Sequence, residues 1–175
     1  MKAPRLLLLM TLLAASAVHG RLAAGSIVRL SVKFILDEDG DRPTGDYEDL
    51  TDVREAVREA NTALYTSGVC WRLQLVDLLD VGGASEFFVI SSYDEMWNLE
   101  NQAIANPAKF KWNPNAINIY VAEDLDGELD GKGGICSYPH PANPVTFRAR
   151  EILLINSDDG IKNDGLGWLH EIGTT

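Results

Sequence analysis

The sequence predicts an α/β fold: a mixed, twisted, five-stranded sheet with helices packed against it. Three observations carry this. Apolar residues alternate with polar ones from Val28 to Leu36. They then recur at helical spacing through Val53, Val57, Ala60 and Leu64, and finally form an unbroken run from Ile152 to Ile155. Period two marks a strand, a period of three to four marks a helix, and a short continuous run suits a strand buried on both faces. The predicted order is strand, helix, strand, helix, three strands, helix, which is the pattern of helices layered on a sheet.

Each element has its own local reason. In "SIVRLSVKFILDEDGD", Val28, Leu30, Val32, Phe34 and Leu36 form one buried face opposite Arg29, Ser31 and Lys33. The acidic stretch from Asp37 to Asp49 reads as a loop. "LTDVREAVREANTALYTSG" reads as a helix capped by Thr51 or Asp52 and stopped by Gly68, because glycine accepts the left-handed conformation at a helix end. "VCWRLQLVDLLDV" is the second strand. "SSYDEMWNLENQAIANP" is a second helix. Ser92 and Glu95 make a capping-box pattern, Met96, Leu99 and Ala103 share a face, and Pro107 ends it. Met96 and Trp97 are expected in the core. "AINIYVAED" is the third strand, "GKGGICSYPHPANP" contains a short edge strand, and "REILLINSDDG" holds the strand buried on both sides. Asn163 or Asp164 can cap a final helix starting near Gly165.

The first 20 residues stand apart from this pattern. Lys2 and Arg5 precede an apolar stretch from Leu6 to Ala15, and small residues follow at Ala17 and Gly20. That order is a secretory signal peptide, too short to span a bilayer. The expected mature chain, residues 21–175, is exported and has no membrane span. Its charge is strongly acidic, −11 over the full sequence. Such a surface repels phosphates, so nucleic acid is not an expected partner. The two cysteines, Cys70 and Cys136, make no disulfide scaffold. An oxidising compartment would permit a bridge, but the proposed fold sets them near opposite sheet edges.

Chemistry concentrates at the C-terminus, in "GLGWLHEIGTT". In the motif HExxH two histidines lie one helical turn apart and grip one zinc ion, while the glutamate activates the metal-bound water. Longer forms, HExxHxxGxxH, turn at a glycine and return a third histidine. Here His170 takes the first ligand position, Glu171 the base position, and Thr174 the position of the second histidine. Two weaker patterns favour plain readings. Cys136, His140 and His170 could improvise a metal site, but an ordinary edge-strand cysteine and loop histidine account for them. Asp124, Asp126, Glu128 and Asp130 hint at calcium. An EF-hand loop read from Asp126 places Ser137 where glutamate is required, so a solvated acidic turn is the better reading. "DEDGD" (Asp37 to Asp41) is read the same way.

Taken together, residues 27 to 173 resemble the catalytic domain of the metzincin zinc endopeptidases, most closely the pappalysin-like branch. The resemblance lies in "ANTALYTSGVCWRLQLVDLLDV", in "AINIYVAEDLDG" followed by "GGICSYP", and in "GLGWLHEIG". It implies a metzincin-like upper subdomain, incomplete and without the lower one, ending in the start of the zinc-site helix. It further implies His170 as a ligand of Zn2+, Glu171 as the catalytic base, and Gly133, Gly134, Ile135, Cys136, Ser137 and Tyr138 as an edge strand that binds a peptide or protein substrate. The departures are specific. The second and third histidines are missing, and no methionine follows Met96 to make a Met-turn. A stop two residues after Gly173 is expected from an interrupted frame, a mis-joined exon or an engineered cut, and the chain as given is expected to be inactive. The rival expectation is a secreted, non-catalytic module that binds peptides or proteins through the same edge strand. Reading the transcript beyond Gly173 separates the two.

Overall fold

The computed structural model describes residues 26–136 and 152–157. The predicted leader, Ser137 and Tyr138 of the predicted edge strand, His140, and the His170–Glu171 segment all lie outside the described residues.

The fold is α/β. Strand β1 (Ser26–Ile35) leads through helix α1 (Leu50–Thr66) to β2 (Trp71–Val81). The short strand β3 (Val89–Ile90) and helix α2 (Tyr93–Ala105) follow. Then come β4 (Ile117–Ala122), β5 (Asp124–Leu125), β6 (Gly134–Cys136) and β7 (Ile152–Asn156). Five of these strands form one mixed sheet in the order β2-β1-β4-β7-β6, with β3 and β5 making a separate two-stranded ribbon. β1, β2, β4 and β7 run parallel, while β6 runs antiparallel to β7.

The strand order explains the layering. The chain steps outward from β1 to β2, then back past β1 to β4. Right-handed crossovers in opposite directions place their helices on opposite faces. Accordingly, Val53, Ala56, Val57 and Ala60 of α1 pack with Leu30, Val32, Phe34, Ile119, Val121 and Ile155. Met96, Leu99 and Ala103 of α2 pack on the other face with Ile35, Tyr120, Ala122 and Leu154. The adjacent residues Leu154 and Ile155 enter different cores, as expected for a strand covered on both sides.

Three local expectations are corrected. First, β1 is buried on both faces: Ser31 and Lys33 are as fully enclosed as Leu30 and Val32, because the second face is covered too, by α2 at Ile35 and by Asp77, Asn118 and Tyr120 around Ser31 and Lys33. Second, α1 is capped by Asp49, not by Thr51 or Asp52. The Asp49 carboxylate accepts from the N–H groups of Thr51 and Asp52, and Asp52 returns the bond to the Asp49 N–H at 3.1 Å. Those two backbone donors hold the Asp49 carboxyl below its usual range. The predicted stop is as expected: Gly68 has φ +72°, and the N–H groups of Gly68 and Val69 reach back to Tyr65 and Leu64 in a Schellman closure. Third, Trp97 lies outside the core, 51% exposed beside Tyr93, whereas Met96 is buried. On α2 the inward stripe is Met96, Leu99 and Ala103, and Trp97 falls one position off it.

Candidate functional site

Open parallel sheets usually bind ligands beyond the carboxyl ends of their strands, at the point where strand order reverses. Here that point lies between β1 and β4, and the chain fills it with its own loop. Ser157, just past β7, donates its N–H to the Ala122 carbonyl at 3.0 Å and accepts from Asp46 N–H at 2.9 Å. Its hydroxyl donates to the Thr44 carbonyl at 2.6 Å. The Glu123 carboxylate accepts from the Thr44 N–H at 2.6 Å and from its hydroxyl at 2.7 Å. Tyr47 closes the loop into the α1-side core. A cofactor crevice at the switch point is therefore occupied by protein.

The sheet instead offers a strand edge at β6. Asn156 sets its approach. The Asn156 N–H donates to the Gly133 carbonyl at 3.1 Å, and its side-chain amide donates to Asp124 at 3.1 Å. β6 then pairs with β7 in the register Gly134 with Ile155, Ile135 with Leu154 and Cys136 with Leu153. Since Gly133 turns its carbonyl toward β7, alternation turns the Ile135 backbone the same way and the Gly134 backbone outward. The side chains alternate as well: Cys136 joins the α1-side core, and Ile135 packs against the α2-side core. Of the predicted substrate strand, the structure thus places Gly133 at the entry and Gly134, Ile135 and Cys136 on the terminal strand of the sheet.

The acidic turn before β6 is solvated at its carboxylates, as expected, with Asp126, Glu128 and Asp130 exposed, and it is anchored by its apolar residues. Leu125 and Leu129 are buried, Asp124 and Leu125 pair with β3, and Asp126 caps a short 3-10 turn by accepting from Gly127 N–H at 2.7 Å. The "DEDGD" loop is closed in the same manner, the Asp37 carboxylate accepting from the N–H groups of Asp39 at 2.9 Å and Asp41 at 2.8 Å.

A polar cluster on the α2 side of the sheet had no signal in the sequence. β2 carries a bulge: Leu30 faces Leu75, but Ser31 faces Asp77, so Val76 is the extra residue. The bulge turns Asp77 to the face of Ser31 and Lys33. Ser31 Oγ donates to Asp77 at 2.8 Å, and the Asn113 amide donates to the same carboxylate at 2.6 Å. Lys33 Nζ donates to the Ser31 carbonyl at 2.9 Å and to Asn118 Oδ1, 5.3 Å from the Tyr120 ring centre. Burial pulls the Lys33 pKa down to about 7, against the opposing pull of Asp77. Hydrogen bonds from Asn113 and Ser31, with the Lys33 charge, hold the Asp77 carboxyl below its usual value. Burial raises the Tyr120 phenol, whose O–H donates to the Phe110 carbonyl at 2.8 Å. Ser31, Lys33 and Asn118 are enclosed, Asp77 and Asn113 are half-buried, and each finds its partners inside the cluster, which thereby ties β1, β2 and β4 together.

The three histidines that could ligate zinc all lie outside the described residues. His19, His140 and His170 are the only histidines, and Thr174 offers a neutral hydroxyl at the second ligand position. Among the described residues no group of three or more His, Cys, Asp or Glu side chains could hold a metal. Cys136 lies within the α1-side core, and Cys70 is exposed at the opposite sheet edge, so the two are not bridged. No helix among the described residues is long and apolar enough to cross a membrane.

No family model matches the chain, and no curated protein matches it. Among solved structures, one described as "Structure of a chaperone-substrate complex" superposes with a TM-score of 0.49 at 13% identity. That match covers 87% of this chain and 24% of the other, so this chain spans about a quarter of that protein's length.

Proposed function

We propose that the chain is the sheet subdomain of a secreted, metzincin-like zinc endopeptidase, and that the part of this function it carries is peptide capture along β6. One observation supports the reading above others. An antiparallel edge strand closes an otherwise parallel sheet, and it lies beside β7, the last strand among the described residues and the one that precedes the His170–Glu171 segment in sequence. An extended peptide can add to such an edge through main-chain hydrogen bonds, starting at the outward backbone of Gly134.

Hydrolysis is a separate matter. A catalytic zinc needs three protein ligands and an open position, and this sequence has Thr174 where the second histidine is required. In a homologue with the full donor set, the residue equivalent to Glu171 would take the proton from water. In this chain, peptide binding without turnover is the expected behaviour.

Two measurements test the reading. Zinc bound per chain, compared with a His170→Ala variant, is expected to be low in both. Cleavage of an unstructured protein with added zinc is expected to be absent. Turnover that Glu171→Ala abolishes would overturn the non-catalytic half of the proposal. Capture of an extended, uncharged peptide, held through its main chain alone, that survives Gly134→Pro, a change that distorts the edge, would overturn the other half.

A further inference from the structure

A second surface lies at the opposite edge of the sheet, where α1 leans over β2. The groove between them has a volume of about 680 Å³, within the ~300–1,000 Å³ range of ligand sites. Arg54, Arg58, Asn61 and Tyr65 recur along α1 at helical spacing and form one wall. Trp71, Leu73 and Leu75 alternate along β2 and form the other. Arg72 adds a third cation.

Its charge is opposite to that of the protein. The chain has 26 acidic residues against 15 Lys and Arg, yet no Asp or Glu lines this groove. Arg58 is engaged by Glu55 at 2.7 Å and Glu59 at 3.7 Å. Arg54 and Arg72 make no ion pair among the described residues. Between these cations stand two exposed aromatics, Tyr65 at 82% and Trp71 at 52% exposure. Aromatic and arginine side chains left in solvent around an apolar floor have the composition of binding hot spots.

Strand addition is blocked here. The Asn61 side chain accepts from the Leu73 N–H at 2.8 Å and donates to the Leu73 carbonyl at 3.0 Å, so it stands where a partner strand would pair. An occupant must therefore be held through its side chains. We infer that the α1–β2 groove docks a short acidic peptide segment of a partner protein, its carboxylates on Arg54 and Arg72 and its apolar side chains against Tyr65, Trp71 and Leu73. Polyanions such as nucleic acid or sulfated glycan fit less well. Beyond the groove they meet the acidic remainder of the surface, and they leave the apolar floor uncovered. This site is independent of β6, from which it is separated by the full width of the five-stranded sheet.

The test is fluorescence anisotropy of a labelled hexapeptide of alternating Glu and Leu, titrated with the whole chain. Saturable binding is expected, and it should weaken at least ~10-fold in the double variant Arg54→Ser, Arg72→Ser and again on raising salt from 50 to 300 mM, because exposed charges are screened. Both arginines are exposed, and circular dichroism verifies that the variant stays folded. Tyr65→Ala should weaken binding, and Gly134→Pro should not change it. Equal binding of the Lys-Leu or Ser-Leu hexapeptide, or indifference to the double variant, would overturn the inference. So would loss of binding in Gly134→Pro, which would move the peptide to β6, or tighter binding of a heparin-derived hexasaccharide.

Discussion

Ser31 and Asp77 face each other at 2.8 Å across the β1–β2 pair only because Val76 bulges out of register. With Val76 in regular register, Asp77 would follow Leu75 toward α1 and an apolar core; the bulge keeps it on the Ser31 face. Deleting Val76 would straighten β2 and leave Asp77 opposite Ser31, with every later β2 side chain on its present face. The deletion variant is therefore expected to remain folded by circular dichroism. Asp77→Ala should fold but lose ~2–4 kcal/mol in urea denaturation, since Ser31, Asn113 and Lys33 lose a shared partner.

Lys33 should make stability rise with pH over an unusual range. Its folded pKa, about 7, is below its ordinary value of 10.5, so between these limits the unfolded chain binds the extra proton. The stabilisation is complete above the unfolded value and is lost as pH falls toward 7, a span worth up to about 5 kcal/mol. The raised pKa of Tyr120 acts in the opposite sense beyond pH 10, where the unfolded phenol ionises first. Urea midpoints should therefore climb from pH 7 toward 10 and then fall. Lys33→Met should abolish the climb and keep the fall. An unchanged slope in that variant would show that Lys33 is solvated.

Gly127 and Gly131 provide a matched pair. Both have positive φ, +58° and +71°, but a Cβ on Gly127 would lie 2.6 Å from the Ser91 carbonyl oxygen, and one on Gly131 would meet nothing within 4 Å. Gly131→Ala should cost ~1 kcal/mol of left-handed strain. Gly127→Ala should cost at least ~2 kcal/mol, because the β3–β5 ribbon must also shift. Thermal midpoints of the two variants measure the difference.

Asn61 protects the β2 edge by imitating a strand. Asn61→Leu leaves the Leu73 N–H and carbonyl without those bonds and should lower stability by ~2 kcal/mol. It should also raise concentration-dependent association, because an open edge templates further strands. Light scattering of the variant reports this directly.

The sequence was most informative where a pattern is local. The Gly68 stop, the Ser92 cap, the inward stripe of α2 and the doubly buried β7 were all legible, since each depends on a few neighbouring residues. It was silent on the β3–β5 ribbon, whose two-residue strands are too short to show a period. It misplaced Trp97 because hydrophobicity alone does not say on which side of a helix a residue stands.

Sequence by itself determined the α/β class, the main strands and helices in order, and β6 as the edge. Periodicity and capping encode these within a single turn or strand. Tertiary structure alone decided the fate of Lys33, Asp77 and Asn118. A polar residue on a strand is exposed or buried according to what covers that face, and the partners here, Asn113, Asn118 and Tyr120, arrive more than 50 residues after β1. It likewise decided that Asn61 would seal one edge of the sheet, because the two groups it joins are brought together by the turn between α1 and β2.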